Sequence, residues 1–175
     1  GFPVYAMNWQ DPQSSELTKG FRELGFLPEA FVNLLALLGW NDGTEQELFT
    51  LDELVNRFSV ERVSKAGAKF DYEKARWFNH AWIQKVDIGH LLPLIREELI
   101  RHGASGQEEA YTAKVLELVR ERMTLCGDFW EQASFFFQTP VQYDFDSVRG
   151  KWNTEKTAFF EDIASKLEVF EPWSA

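Results

Sequence analysis

The chain has 175 residues but only one cysteine, two methionines and six prolines, and no long apolar run. A single thiol, Cys126, excludes an internal disulfide framework, and a reducing compartment is the simple reading. No stretch approaches the roughly 18–20 apolar residues needed to span a bilayer. No secretory or transit-type leader opens the chain. A cytoplasmic protein with no membrane association is therefore expected. Basic residues are scarce as well: 18 Lys and Arg stand against 28 Asp and Glu, a net charge of −10. That balance excludes a protein that coats nucleic acid with its whole surface. Glycine-rich phosphate-binding motifs are missing, and His80, His90 and His102 lack partners at metal-ligand spacing. Neither a metal site nor a catalytic residue is expected. Cys126 lies in an apolar run and reads as a small buried hydrophobe. The pairs Glu97-Glu98 and Glu108-Glu109 read as solvated helix surface.

Apolar side chains are plentiful. Hydrophobic residues make up 45% of the chain, with 16 Phe and 7 Trp. This is enough for one large domain or two small ones and outside the composition of disordered segments. The chain opens Gly1-Phe2-Pro3 without a Met and closes Pro172-Trp173-Ser174-Ala175. That is expected of a piece of a longer protein, or else of a processed mature chain.

Residues 1–25 are punctuated by Pro and Gly and read as loop or short strand. Leu27, Phe31, Leu34, Leu35 and Leu38 then lie on one helical face, with Pro28 at the start and Gly39 as a stop. Trp40-Asn41-Asp42-Gly43 reads as a turn. Thr50 with Glu53 forms a capping box for a second helix through Phe58. Ser64–Gly67 reads as a loop, and Asp71 as the N-cap of a helix to about Ala81. Further helices are expected over Asp87–His102, Gln107–Met123 and Thr154–Val169, with a buried apolar stretch over Thr124–Phe137 and a break at Pro140–Asp146. Period-2 alternation is short and scarce, so the expected fold class is mainly α. The best internal boundary lies near 84–88.

The charge is unevenly spread. Asn56–Arg76 holds six basic residues, Arg57, Arg62, Lys65, Lys69, Lys74 and Arg76, against Glu61, Asp71 and Glu73. This is a local excess of three, while the other 154 residues carry twelve basic against twenty-five acidic groups. A basic stretch beside Ser64 and Gly67 suits phosphate contact. On the expected helix Lys74 and Trp77 share a face, where an amine and an indole could meet a phosphate and a sugar. The pattern by itself favours the plainer alternative, with Trp77 in the core and the lysines solvated.

Two strings imitate catalytic motifs. Asp87-Ile88-Gly89-His90 resembles the HIGH tetrapeptide of class I aminoacyl-tRNA synthetases but lacks the first His and a nucleotide-binding α/β context. Arg62-Val63-Ser64-Lys65-Ala66 resembles the KMSKS loop but lacks its first Lys. Both are read as non-catalytic.

A broader resemblance follows. Gly25-Phe26-Leu27-Pro28-Glu29-Ala30, with Asn33-Leu34-Leu35-Ala36-Leu37-Leu38-Gly39-Trp40, resembles the GYLPEAxxNxLxxLGW segment of bacterial glutamyl-tRNA synthetases. Phe58–Lys65, Phe70–Lys74 and Trp77-Phe78-Asn79 resemble the family's next string. The match covers roughly residues 20–85 and weakens beyond, where Trp130 and Phe135-Phe136-Phe137 are similar to the following domain's aromatic block.

The resemblance implies a fragment downstream of the catalytic domain. Residues 1–85 would form a helical stem-contact domain, and 86–175 the first α-helical anticodon-binding domain. The parent would join glutamate to tRNA(Glu), using ATP with Mg in a catalytic domain this chain lacks, so the fragment alone is expected to be inactive and without a cofactor. Its partners would be tRNA(Glu) and the parent's catalytic domain, and it is expected to be a monomer. Motif positions for tRNA contact fall on Asn41, Ser64, Lys74 and Trp77, and Arg62 and Lys65 join them from the basic stretch. Arg120, Arg122, Arg149 and Lys151 are further candidates for the second domain's RNA side. The alternative is an acidic helical protein-interaction domain with no RNA role, suggested by aromatics such as Trp152 and Trp173.

Overall fold

The computed structural model describes residues 4–65 and 67–170. Trp173, both chain ends and Ala66 lie outside the described residues. The chain forms two compact units, one through Gln138 and one from Thr139. As expected, the fold is mainly α.

The first unit opens with a two-stranded antiparallel hairpin, β1 (Trp9–Gln10) and β2 (Leu17–Thr18), with Trp9 opposite Thr18. Its helices are α1 (Pro28–Leu37), α2 (Leu51–Arg57), α3 (Tyr72–Lys85), α4 (Ile88–Arg101), α5 (Glu109–Val119) and α6 (Asp128–Ala133). Local chemistry explains several starts. The Thr50 hydroxyl accepts from the Glu53 amide at 3.2 Å while the Glu53 carboxylate accepts from the Thr50 amide at 2.8 Å. These bonds occupy two free backbone donors and hold the Glu53 carboxyl below its ordinary value. Asp71 caps α3 through the Lys74 amide at 3.1 Å.

The cap of α1 is long-range. Leu27, at its N-cap, has no side-chain oxygen to offer, and its own buried amide donates to Asn79 Oδ1 of α3 at 2.7 Å. Asn79 Nδ2 donates to the Thr124 carbonyl at 2.6 Å and the Gly25 carbonyl at 3.4 Å. Asn33 of α1 works the same way: it donates to the Glu47 carbonyl at 2.9 Å and accepts from the Phe49 amide at 2.9 Å and the Trp82 indole at 3.1 Å. Both asparagines are fully buried, and each makes three hydrogen bonds that engage both its oxygen and its nitrogen, as low-dielectric surroundings demand. Gly25, at φ +90°, lets this turn approach Cys126, whose amide donates to the Gly25 carbonyl at 3.1 Å.

One apolar core unites Leu27 and Leu34 of α1, Phe78 and Ile83 of α3, Leu91 and Ile95 of α4, Leu116 of α5 and Phe129 of α6. Lys85 ends α3 and Ile88 begins α4, so an element boundary falls at 84–88, but the core is continuous across it. Trp40, Phe49 and Leu54 form a smaller cluster under α2.

Several expectations change. Glu98, read as solvated helix surface, is buried and pairs with Arg101 at 2.5 Å and with His102 at 3.0 Å. The helix over Gln107–Met123 starts later, at Glu109, and gives way after Val119 to a 3-10 turn, Arg120–Arg122, because Arg120 is engaged elsewhere, as described below. Thr124–Phe137 is buried only in part: Phe129 and Ala133 are inside, Phe135 outside.

The second unit contains α7 (Phe145–Arg149) and α8 (Thr154–Glu168). The Pro140–Asp146 break is shorter than expected, because Asp144 caps α7 through the Ser147 amide at 3.0 Å. Asn153 caps α8 through the Lys156 amide at 2.9 Å. Trp152 stacks on Phe160 with ring centres 5.2 Å apart.

Candidate nucleic-acid interface

The basic stretch is folded against an acidic turn. The Ser64 amide donates to the Gly39 carbonyl at 2.6 Å, which draws residues 59–65 across the turn after α1. Within that turn Asn41 Oδ1 accepts from the Gly43 amide at 3.1 Å. The Arg62 guanidinium donates to the Asp42 carbonyl, and Arg57 pairs with the Asp42 carboxylate at 2.9 Å. Bonds from the Thr44 hydroxyl and amide, with Arg57, hold the Asp42 carboxyl below the usual carboxylate range. Asn41, Arg62 and Ser64 thus belong to one knot of backbone and side chain. Lys65 follows it, exposed and with no ion pair among the described residues.

Lys74 and Trp77 project from α3. The Lys74 ammonium meets Glu47 at 2.9 Å, in a pair with each side chain about half exposed, and lies 5.7 Å from the centre of the Phe78 ring. Trp77 is 47% exposed and rests edge-on against Phe78 at 5.0 Å. The alternative that places Trp77 in the core is therefore overturned: Phe78, its neighbour, takes the core position and leaves the indole outside. Asp42 and Glu47 were missed by sequence reasoning. The signal was there, as counter-charges of the basic stretch, but it lies 15 to 27 residues away in the chain.

Trp77 also lines an open groove of about 450 Å³ with Glu73, Arg76 and His80 of α3 and Glu121, Arg122 and Thr124 of the facing segment. His80 Nδ1–H donates to the Met123 carbonyl at 2.7 Å, which in the neutral ring leaves Nε2 as an acceptor. Arg122 is exposed on the groove's far wall. Arg120 is not: its guanidinium turns inward to the carbonyls of Ile83, Gln84 and Val86. It therefore leaves the set of RNA-facing arginines. Arg149 and Lys151 lie exposed in the second unit.

Neither catalytic look-alike has the surroundings of an ATP site. His90 pairs with Glu29 at 3.2 Å and joins α4 to α1, while Arg62 belongs to the knot around Asp42. Among the described residues no cluster of His, Cys, Asp and Glu could hold a metal ion. No helix among them is long and apolar enough to cross a membrane. Cys126 is buried, and burial, followed by the nearby Asp128 charge, pushes its thiol up to about 12.

Comparison with known proteins extends the picture to the whole chain. The family model for the anticodon binding domain matches residues 72–175, and that for the catalytic domain of class I tRNA synthetases (E and Q) matches residues 11–77. The two overlap on the first turns of α3, where Lys74 and Trp77 stand. A glutamate–tRNA ligase of Porphyromonas gingivalis is 46% identical over 175 residues, all of this chain and 34% of the relative. One from Bacteroides fragilis is 40% identical over 174 residues, 99% of this chain and 34% of the relative. The crystal structure of a glutamate tRNA ligase from Elizabethkingia meningosepticum, solved with its amino acid, superposes with a TM-score of 0.88 at 31% identity, covering 98% of this chain and 34% of that one. The chain spans about a third of the length of the relatives it matches.

Proposed function

The chain belongs to the anticodon binding domain family, and from that premise we propose that it is the tRNA-positioning portion of a glutamate–tRNA ligase. The observation that carries the reading is the exposed pair on α3. Lys74 and Trp77 fall at positions that the resemblance assigns to tRNA contact, and both side chains are exposed, outside the core that their neighbours Phe78 and Asn79 complete. Lys74 supplies charge for a backbone phosphate, and Trp77 a flat surface for a sugar or base. Arg62, Ser64, Lys65 and Asn41 carry the contact across the adjoining turn. Residues 1–85 act as the stem-contact domain and 86–175 as the first anticodon-binding domain. No chemical step falls to these residues. Activation of glutamate with ATP and Mg belongs to the parts of the full-length ligase's catalytic domain other than the stretch matched by residues 11–77, in the cytoplasm, and the protein works as a monomer on tRNA(Glu).

The residues of this chain set register rather than bonds: phosphate contacts fix where the RNA lies. The test is equilibrium binding of this chain to a tRNA(Glu) transcript and to an unrelated RNA of equal length. Preference for tRNA(Glu), weakened roughly three- to tenfold by Lys74→Ala, is expected. Equal binding to both RNAs, or capture of a protein partner with no RNA affinity, would refute it.

A further inference from the structure

α3 ends in an unusual way. No glycine follows Lys85, and the capping residue Val86 has extended backbone, at φ −73° and ψ 155°. A helix that stops like this leaves its last carbonyls without intrahelical partners. Here they are met from another element. Arg120 Nε donates to the Ile83 carbonyl at 2.8 Å, and its Nη2 to the Val86 carbonyl at 2.8 Å and to the Gln84 carbonyl. Gln84 Nε2 returns a bond to the Arg120 carbonyl at 2.8 Å. A planar guanidinium is well matched to these carbonyls. It offers several donors in a fixed fork and places positive charge at the negative end of the helix dipole.

The seam continues along α3. His80 donates to the Met123 carbonyl and Asn79 to that of Thr124. Polar side chains from 79 to 84 therefore bind backbone from 120 to 124, and Arg120 closes the end of the row. Arg120 is also where α5 tightens into the 3-10 turn that presents Arg122 at the surface. The groove beside Trp77 has one wall from α3 and the other from this turn. Neither element makes it alone.

We infer that Arg120 is a positioning residue for RNA, holding α3 against residues 120–124 so that Trp77 and Arg122 face one nucleotide. This deepens the tRNA reading and rests on it. Arg120 acts through its neighbours and not by touching RNA: its Nε and Nη2 donors are held by the carbonyls at the end of α3. The indole takes the base or ribose, and Arg122 takes the neighbouring phosphate.

A double-mutant cycle on this chain, with a tRNA(Glu) transcript as probe and temperature held well below the melting midpoint, tests it. Arg120→Lys keeps the charge but loses the fork, and about tenfold weaker binding is expected, with Arg122→Ala costing a similar factor. The double variant is expected to bind no worse than Arg122→Ala, since each change undoes the same contact. A general loss of stability would not give that pattern. Where Arg120→Lys fails to fold, Gln84→Ala replaces it and should show a smaller loss and the same lack of additivity. Unchanged binding in both positioning variants, or losses that multiply, would overturn the role of Arg120 and leave the tRNA reading standing. Failure of the unsubstituted chain to prefer tRNA(Glu) would overturn both.

Discussion

Replacing Asn79 by Ala tests whether a single buried amide joins three parts of the first unit. The side chain accepts from the Leu27 amide at 2.7 Å and donates to the Thr124 carbonyl at 2.6 Å; its bond to the Gly25 carbonyl, at 3.4 Å, is weak. The Gly25 carbonyl keeps the Cys126 amide as a donor. Truncation therefore orphans two groups, the Leu27 N–H and the Thr124 carbonyl. At about 1–3 kcal/mol for each buried group left unpaired, the expected loss is about 2–6 kcal/mol. That is a large part of the roughly 5–15 kcal/mol that stabilises a domain. At this size a loss near 4 kcal/mol lowers the midpoint by about 10–15 °C. Thermal unfolding followed by far-ultraviolet circular dichroism reads it. Asn56→Ala is the control, because the Asn56 amide is exposed and bonds only its own helix, and it should stay within about 0.5 kcal/mol. A loss below about 1 kcal/mol for Asn79→Ala would refute the reasoning, since water would then be reaching both orphaned groups.

Three further outcomes follow from the same geometry. Lys74→Ala should lower the slope of log K against log salt for tRNA binding by about one unit, the signature of one lost phosphate contact; an unchanged slope would place Lys74 away from the RNA. Glu47→Gln removes the carboxylate that holds Lys74, so RNA binding should tighten a few-fold while stability moves by less than about 1 kcal/mol, as for other exposed pairs; weaker binding would mean that Glu47 orients Lys74 rather than competing for it. Cys126, pushed up from 9.0 to about 12 by burial, should resist iodoacetamide at about pH 8 unless the unit unfolds. The raised value also means that the folded state keeps its proton while the unfolded thiol loses it. The thiol's contribution is thus complete below pH 9.0 and falls as pH rises from there towards about 12. Labelling of the folded chain within minutes under the same conditions would contradict the burial argument.

Helix beginnings were readable because their causes are local. Thr50 with Glu53, Asp71, and Pro28 at a first turn act within four residues, and all lie where the pattern puts them. The burial of Cys126 was readable too, but the apolar faces of α1 and α4 only in part: Leu34, Leu91, Ile95 and Leu99 are inside, whereas Leu35 and Ile100 are exposed. The motif strings that led to the family carry the two buried asparagines and core residues around them. What lay hidden was everything set by distant partners. Trp77 and Phe78 are neighbours in sequence with equal apolar appeal, and only the packing of α3 against α1 puts one inside and one outside. The basic stretch is legible as composition, but its pairing with Asp42 and Glu47 arises only when the turn after α1 folds back. Arg120 shows the division most plainly. By itself it is one more surface arginine on a helix, and only the unmet carbonyls at the end of α3, more than thirty residues earlier, turn it inward. Sequence by itself determined the helical class, the helix starts whose caps are local, and the family. Tertiary structure decided which charges are engaged and which side chains stay exposed, because those depend on long-range hydrogen bonds and burial that no local pattern contains.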